Sequence, residues 1–208
     1  MARRPLVPYR LDAGGIRTLP PAEIAAILRA ADSLIARGGR TLLTGILKGS
    51  KTRKLLELEL DDNPSYGFYK ELSSEEILKR VDWMIENEFL EVIYSGQLPL
   101  ITFTPRGWDI ERETYAKELL ARLQRMAGFE KPVFNMEFLK DRNRGMILLL
   151  LDKIEASGDR SLVPLLRHWA AIDYQKVSRR IREVIRRIEE PEATGGVSPD
   201  DDSFSLSS

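Results

Sequence analysis

Between Phe89 and Gly107 the chain abandons the helical period that governs the residues before it. "FLEVIYSGQLPLITFTPRG" holds two short β-rich runs, Leu90–Tyr94 and Leu100–Thr104, around a Ser-Gly-Gln turn. That pattern predicts a β-hairpin. Upstream, Ile24, Ile27, Leu28, Ala31, Leu34 and Ile35 recur at helical spacing, after Pro20-Pro21 and before Gly38-Gly39. Thr41–Leu47 and Thr52–Leu60 read as two further helices, broken at Gly49-Ser50. Ser73 and Glu76 form a capping box that opens a helix with Ile77, Val81, Met84 and Ile85 on one face. Helices joined by a basic turn, then a helix, then a hairpin, predict a winged helix. The expected class is mainly α with a small β-hairpin (α+β).

After the hairpin the period is helical again, over roughly 109–127, 135–156, 160–171 and 173–189. The last two resemble a single HEAT-like helical hairpin, too little for a solenoid. The expected divisions are a basic extended arm (1–20), the winged helix (21–108), a helical region (109–189) and an acidic disordered tail (190–208).

Several chemistries are excluded. There is no cysteine among the 208 residues, and His168 is the single histidine, so neither a thiol nucleophile nor a zinc cluster is expected. His168, beside Trp169, reads as a packing residue. No phosphate-binding loop, dinucleotide fingerprint, nucleophile elbow or metalloprotease motif occurs. No enzyme activity, no cofactor and no catalytic or metal-binding residue is therefore expected. The N-terminus lacks the apolar core of a signal peptide, and the longest apolar run, Met146–Leu151, is too short to span a bilayer. A cytoplasmic location without membrane contact is the expectation.

The formal net charge is zero, with 32 basic and 32 acidic residues, yet positive charge is local. No acid interrupts Arg40–Lys54, and Glu57, Glu59, Asp61 and Asp62 follow at once. A late helix carries Lys176, Arg179, Arg180, Arg182, Arg186 and Arg187, and "PDDD" follows at 199–202. Local patches bind polyanions in a chosen geometry, as a uniformly basic surface does not. The late basic face reads as a second phosphate surface, a solvated face or the partner of the acidic tail. These three remain open at this point.

The strings "ILKGSKTRKLLEL", "YGFYKELSSEE", "ILKRVDWMIENEFLEVI" and "LITFTPRGW" follow one another in the order and spacing of a known module. Leu42–Gly107 resembles the RQC domain, the winged helix of RecQ-family DNA helicases, and the chain is similar to small bacterial proteins that carry this module without a motor. Neither ATPase lobes nor a cysteine-rich zinc subdomain is present, so a helicase label describes the relatives. The resemblance implies DNA binding at forks, duplex ends or other structured DNA, with a role in replication, recombination or repair. It implies a phosphate clamp at Lys48, Ser50, Lys51, Arg53 and Lys54, where Thr52 starts a helix whose open N–H groups favour anions. Lys70 and Arg106 match basic positions of the family's loop and wing end. The family's hairpin acts as a wedge, which points to Tyr94 and Leu98 at a duplex end. Trp83 and Trp108 are expected to contact the C-terminal helices.

Two other functions compete. A transcription regulator would read base edges from the 74–89 helix, where only Arg80 and Asn87 stand among acids. An adaptor would recruit a protein partner through the C-terminal helices.

Overall fold

The computed structural model describes residues 9–129, 135–140 and 142–190. Residues 1–8 of the arm and 191–208 of the tail lie outside them. The chain divides into two units, 1–119 with 143–149 and 120–142 with 150–208.

The first unit is the winged helix. Helix α1 spans Pro21–Asp32, α2 Arg40–Lys48, α3 Arg53–Glu57 and α4 Ser74–Glu86. Strands β1 (Leu90–Ser95) and β2 (Leu98–Phe103) follow, and α5 (Pro105–Ala127) begins in this unit. Fold class is as the sequence predicts: mainly helical with one antiparallel hairpin. The core joins Ile27 and Leu28 of α1, Leu43, Ile46 and Leu47 of α2, Leu55 of α3, and Ile77, Val81 and Met84 of α4, all fully buried. Leu90 and Ile101 fix the base of the hairpin in that core.

The hairpin register runs from Leu90 opposite Phe103 to Ser95 opposite Leu98, leaving only Gly96 and Gln97 in the turn. Gly96 has a φ of 62°, the positive value that a two-residue turn asks of glycine at its first position. The hairpin is also tied to the end of α1. The Ala36 N–H donates to the Ile101 carbonyl and the Ile101 N–H to that of Gly38. This pairing explains why α1 stops at Asp32, earlier than its apolar period suggests: the next residues turn to reach β2. Gly39 is needed there, because a Cβ on it would lie 2.8 Å from the Pro99 carbonyl oxygen.

Helix α3 is also shorter than the Thr52–Leu60 reading. Leu55 and Leu60 are both buried. Five positions apart on a helix they would diverge by about 140°. Breaking the helix, with Glu59 in the left-handed region, lets both reach the core.

The described part of the arm lies against the winged helix. Asp82, buried on α4, accepts the Asp12 N–H and pairs with Arg40, and Arg40 also donates to the Arg10 carbonyl. Ala13 and Leu19 are buried as well. A buried carboxylate must be paired, and the arm supplies part of the pairing.

The second unit contains most of α6 (Arg144–Ser157), then α7 (Val163–Ile172) and α8 (Gln175–Glu189). Helices α7 and α8 form a helical hairpin around the fully buried Trp169, whose indole N–H donates to Asp173. In the 135–143 stretch the described residues hold only a short 3₁₀ turn, Glu137–Leu139, where a longer helix was expected.

Candidate nucleic-acid interface

Two separated strings of the sequence, "KGSKTRK" and "YGFYK", meet at the C-terminal end of α2. The helix closes with Gly49 at a φ of 75°, its N–H on the Ile46 carbonyl and the Ser50 N–H on that of Gly45. This paired closure needs a residue without a Cβ. Gly67, at φ 72°, then approaches so closely that a Cβ on Gly49 would lie 3.1 Å from its Cα. Five hydrogen bonds stitch this junction together. The Gly67 and Tyr69 N–H groups donate to Ile46 and Leu47, satisfying carbonyls at the end of α2. The Tyr66 hydroxyl donates to the Ser50 carbonyl at 3.2 Å. Lys48 Nζ donates to the Lys70 carbonyl at 2.6 Å, and a second proton goes to that of Leu72 at 2.7 Å.

The structure thereby sorts the expected clamp residues. Lys48 is half-buried and its ammonium holds the Lys70 loop in place. Its described hydrogen bonds lie within the fold, whereas the sequence reading gave it a direct phosphate contact. Ser50 is half-buried at the junction. Lys51, Arg53, Lys54 and Lys70 are exposed. Lys51 and Lys54 make no ion pair among the described residues, while Arg53 meets Glu57 at 2.7 Å and Lys70 lies 3.9 Å from Glu71. Thr52 makes no side-chain cap, and only its backbone carbonyl accepts, from the Leu55 and Leu56 N–H groups. With only five residues, however, α3 contributes a small dipole, and charge rather than the helix end dominates here.

A groove of about 340 Å³ runs from this knot to the wing, lined by Tyr9, Arg40, Lys54, Val92 and Pro99 among others. At the wing tip Leu98 is 63% exposed and Tyr94 37%. The Tyr94 ring lies 6.2 Å from that of Tyr9, so the arm braces the wing. Sequence reasoning missed Tyr9 and Arg40, because their partners are distant in the chain.

The end of the wing shows why "TPRG" has its form. Thr104 Oγ1 accepts the Gly107 N–H, capping α5, and donates toward the carbonyls of Glu88 and Phe89. Pro105 takes the first helical position, where no N–H is needed. Gly107 sits on the Phe89 carbonyl, and a Cβ there would lie 1.9 Å from the oxygen. Arg106 is exposed but donates to the Asn87 carbonyl and stacks 4.0 Å from the centre of the Phe89 ring.

The candidate base readers at α4 are engaged within the fold. Arg80 pairs with Glu23 at 3.3 Å and lies over the Tyr69 ring, and Asn87 donates to the Trp83 carbonyl. Trp83 is buried and stacks on Phe89, while Trp108 packs against Phe103. Both tryptophans thus make ring contacts within the winged helix.

One cluster had no sequence signal. Arg29 of α1 meets Glu118 at 2.8 Å and Glu111 at 3.5 Å, both on α5, and its guanidinium lies 3.8 Å from the Tyr115 ring centre. Burial pushes the Glu111 carboxyl up to about 8; Arg29 opposes this, and Asp32 and Glu118 reinforce it. The unfolded group titrates near 4.5, so between these values the folded state holds a proton that the unfolded state lacks. Stability from this group is full below about 4.5 and falls as pH rises toward 8. The slope approaches 1.4 kcal/mol per pH unit at most. Glu111→Gln should flatten urea-unfolding stability measured across that window. An unchanged profile would show that Glu111 is ionised throughout.

Among the described residues no His, Cys, Asp and Glu group could hold a metal ion, and no helix is long and apolar enough to cross a membrane. Four helices, a hairpin and a capped exit helix define a winged-helix domain. Residues 22–124 match the family model of the RQC domain, and this part of the chain carries that domain. A curated relative, the ATP-dependent DNA helicase RecQ of Bacillus subtilis (strain 168), is 30% identical over 74 residues. The match covers 36% of this chain and 12% of that helicase. No solved structure matches the chain significantly.

Proposed function

We propose that this chain is a non-enzymatic DNA-binding protein that grips the phosphate backbone through its RQC domain and places its wing at a duplex end or fork. The observation that carries this reading is the stitching of two sequence strings into one platform, on which Lys51, Arg53, Lys54 and Lys70 are all exposed. Phosphate contacts need charge on an accessible surface, not base-edge chemistry. The Lys54 groove leads from that platform to the wing. By analogy with its helicase relative, the protein would serve replication, recombination or repair. It would bind DNA without hydrolysing ATP.

The regulator reading is less favoured. Arg80 and Asn87, the base readers it requires, are occupied by Glu23, Tyr69 and the Trp83 carbonyl. Glu75 and Glu86 are exposed on the same helix and would face phosphates across a groove.

The wing supplies the test. A wedge works by stacking on an open base pair, so its contribution depends on an end being present. Leu98→Ser combined with Tyr94→Ser should weaken binding to forks and blunt duplexes by about 1–2 kcal/mol, roughly 5- to 30-fold. Binding to a closed circle of the same sequence should barely change. Leu98→Ser alone, which leaves the Tyr9–Tyr94 contact intact, should show the same selectivity in smaller measure. Fluorescence titration reads both substrates, and equal losses on ends and circles would remove the wedge.

A further inference from the structure

Helix α8 carries two rows of arginine, and the structure treats them differently. Arg180 and Arg187 face acids: Arg180 lies 2.7 Å from Asp152 and 2.8 Å from Glu155, and Arg187 meets Glu155 and Glu183. That row is neutralised within the second unit and holds α8 to α6. Arg179, Arg182 and Arg186 form the other row, three and four residues apart on one face. All three are exposed, and among the described residues none has an ion pair. Core residues Ser178, Ile181, Val184, Ile185 and Ile188 fill the remaining face. The outer row therefore adds nothing visible to the packing of the unit.

We propose that Arg179, Arg182 and Arg186 form a second phosphate-binding surface for DNA, separate from the winged helix. This rests on the proposed DNA binding and adds a second site to it. Seven residues of helix span about 10.5 Å, a length that faces about three successive phosphates of one strand. All three side chains are arginine, whose planar fork matches phosphate oxygens two at a time. Arg179 and Arg182 of the row line a groove of about 450 Å³ that also contains Asp173, Gln175 and Ser178. Asp173 is the one acid in that lining, and its carboxylate already accepts the Trp169 indole and the Tyr174 N–H. A protein partner would need an apolar anchor at the centre of its contact. The outer row is flanked by charge and by small residues such as Ala170 and Ala171. A backbone of phosphates fits it better.

The test uses the full chain in four forms: wild type, a knot variant (Lys51→Gln, Arg53→Gln, Lys54→Gln), an outer-row variant (Arg179→Gln, Arg182→Gln, Arg186→Gln) and the combination. Each is titrated with a short duplex over a range of salt, after circular dichroism shows unchanged helix content. The knot variant should retain weak, salt-dependent binding that the combination abolishes. The outer-row variant should reduce the slope of log K against log salt by about 2–3, at about 0.9 per phosphate contact. Replacing the same three by lysine should keep most of the slope. An outer-row variant with wild-type affinity and slope overturns the proposal, and so does residual binding by the knot variant that the combination leaves intact. The latter outcomes would leave the row to an acidic protein or to solvent. If instead the knot variant binds like wild type and the outer-row variant does not, the winged-helix reading fails and the second surface stands.

Discussion

Gly107→Ala destabilises the winged helix by about 3 kcal/mol or more, the largest stability loss expected from a single methyl group in this chain. The added Cβ would lie 1.9 Å from the Phe89 carbonyl oxygen, and that oxygen is backbone. It cannot rotate aside as a side chain would. It also sits where Thr104 donates from both its N–H and its hydroxyl. Relief therefore requires moving the start of α5 away from the start of β1, which would pull Arg106 off the Phe89 ring and weaken the cap on α5. The loss is net of a gain, because alanine favours a helix interior over glycine by about 1 kcal/mol. Urea unfolding followed by tryptophan fluorescence reads the effect, with Trp83 and Trp108 close by in the same unit. Gly128→Ala is the control. There the nearest atoms lie 3.6 and 3.7 Å from the new Cβ, ordinary contacts, so its midpoint should stay near wild type. A wild-type midpoint for Gly107→Ala would mean that α5 leaves the hairpin without cost.

How far the sequence leads depends on whether a signal is local. The hairpin was legible because its period changes within one stretch, and Gly96 fixes its turn. The capping box was legible because both partners lie within four residues, and both of its bonds form. The end of α3 was not, since Thr52–Leu60 has apolar residues at helical spacing and only the core decides which are buried. Leu55 and Leu60 go inside while Leu56 and Leu58 remain partly exposed. Asp82 looked like one more surface acid on α4. Its burial depends on Arg40 and on the Asp12 N–H, 70 residues away. Arg29 and Glu118 are 89 residues apart and left no pattern at all. For the proposed interface, the residue types were legible through the resemblance, but the meeting of Gly49 with Gly67 was not. It explains why both strings carry a glycine at that point and why Lys48, set among phosphate candidates, turns inward.

That inward turn makes Lys48 separable from its neighbours. Lys51, Arg53 and Lys54 are exposed and carry little of the fold. Replacing all three by glutamine should leave the urea midpoint nearly unchanged, since isolated surface charges contribute little to stability. The same change should lower the slope of log K against log salt by about 2–3 on duplex DNA, and affinity at moderate salt on the order of 100-fold. The loss should be equal for all sequences, because phosphates carry no sequence information. Lys48→Ala should behave differently. It strips the Lys70 and Leu72 carbonyls of a charged donor, a loss of about 1–3 kcal/mol where such a group is buried and less here, where Lys48 is half-exposed. The unfolding midpoint should drop, and DNA binding should fall because Lys70 is no longer held beside the knot, with the slope changing by one contact or less. Lys48→Arg, which can still reach both carbonyls, should recover the midpoint. Should the triple glutamine variant keep the wild-type slope while Lys48→Ala reduces it by two or more, the phosphates would lie at Lys48 and the exposed platform would not be the clamp.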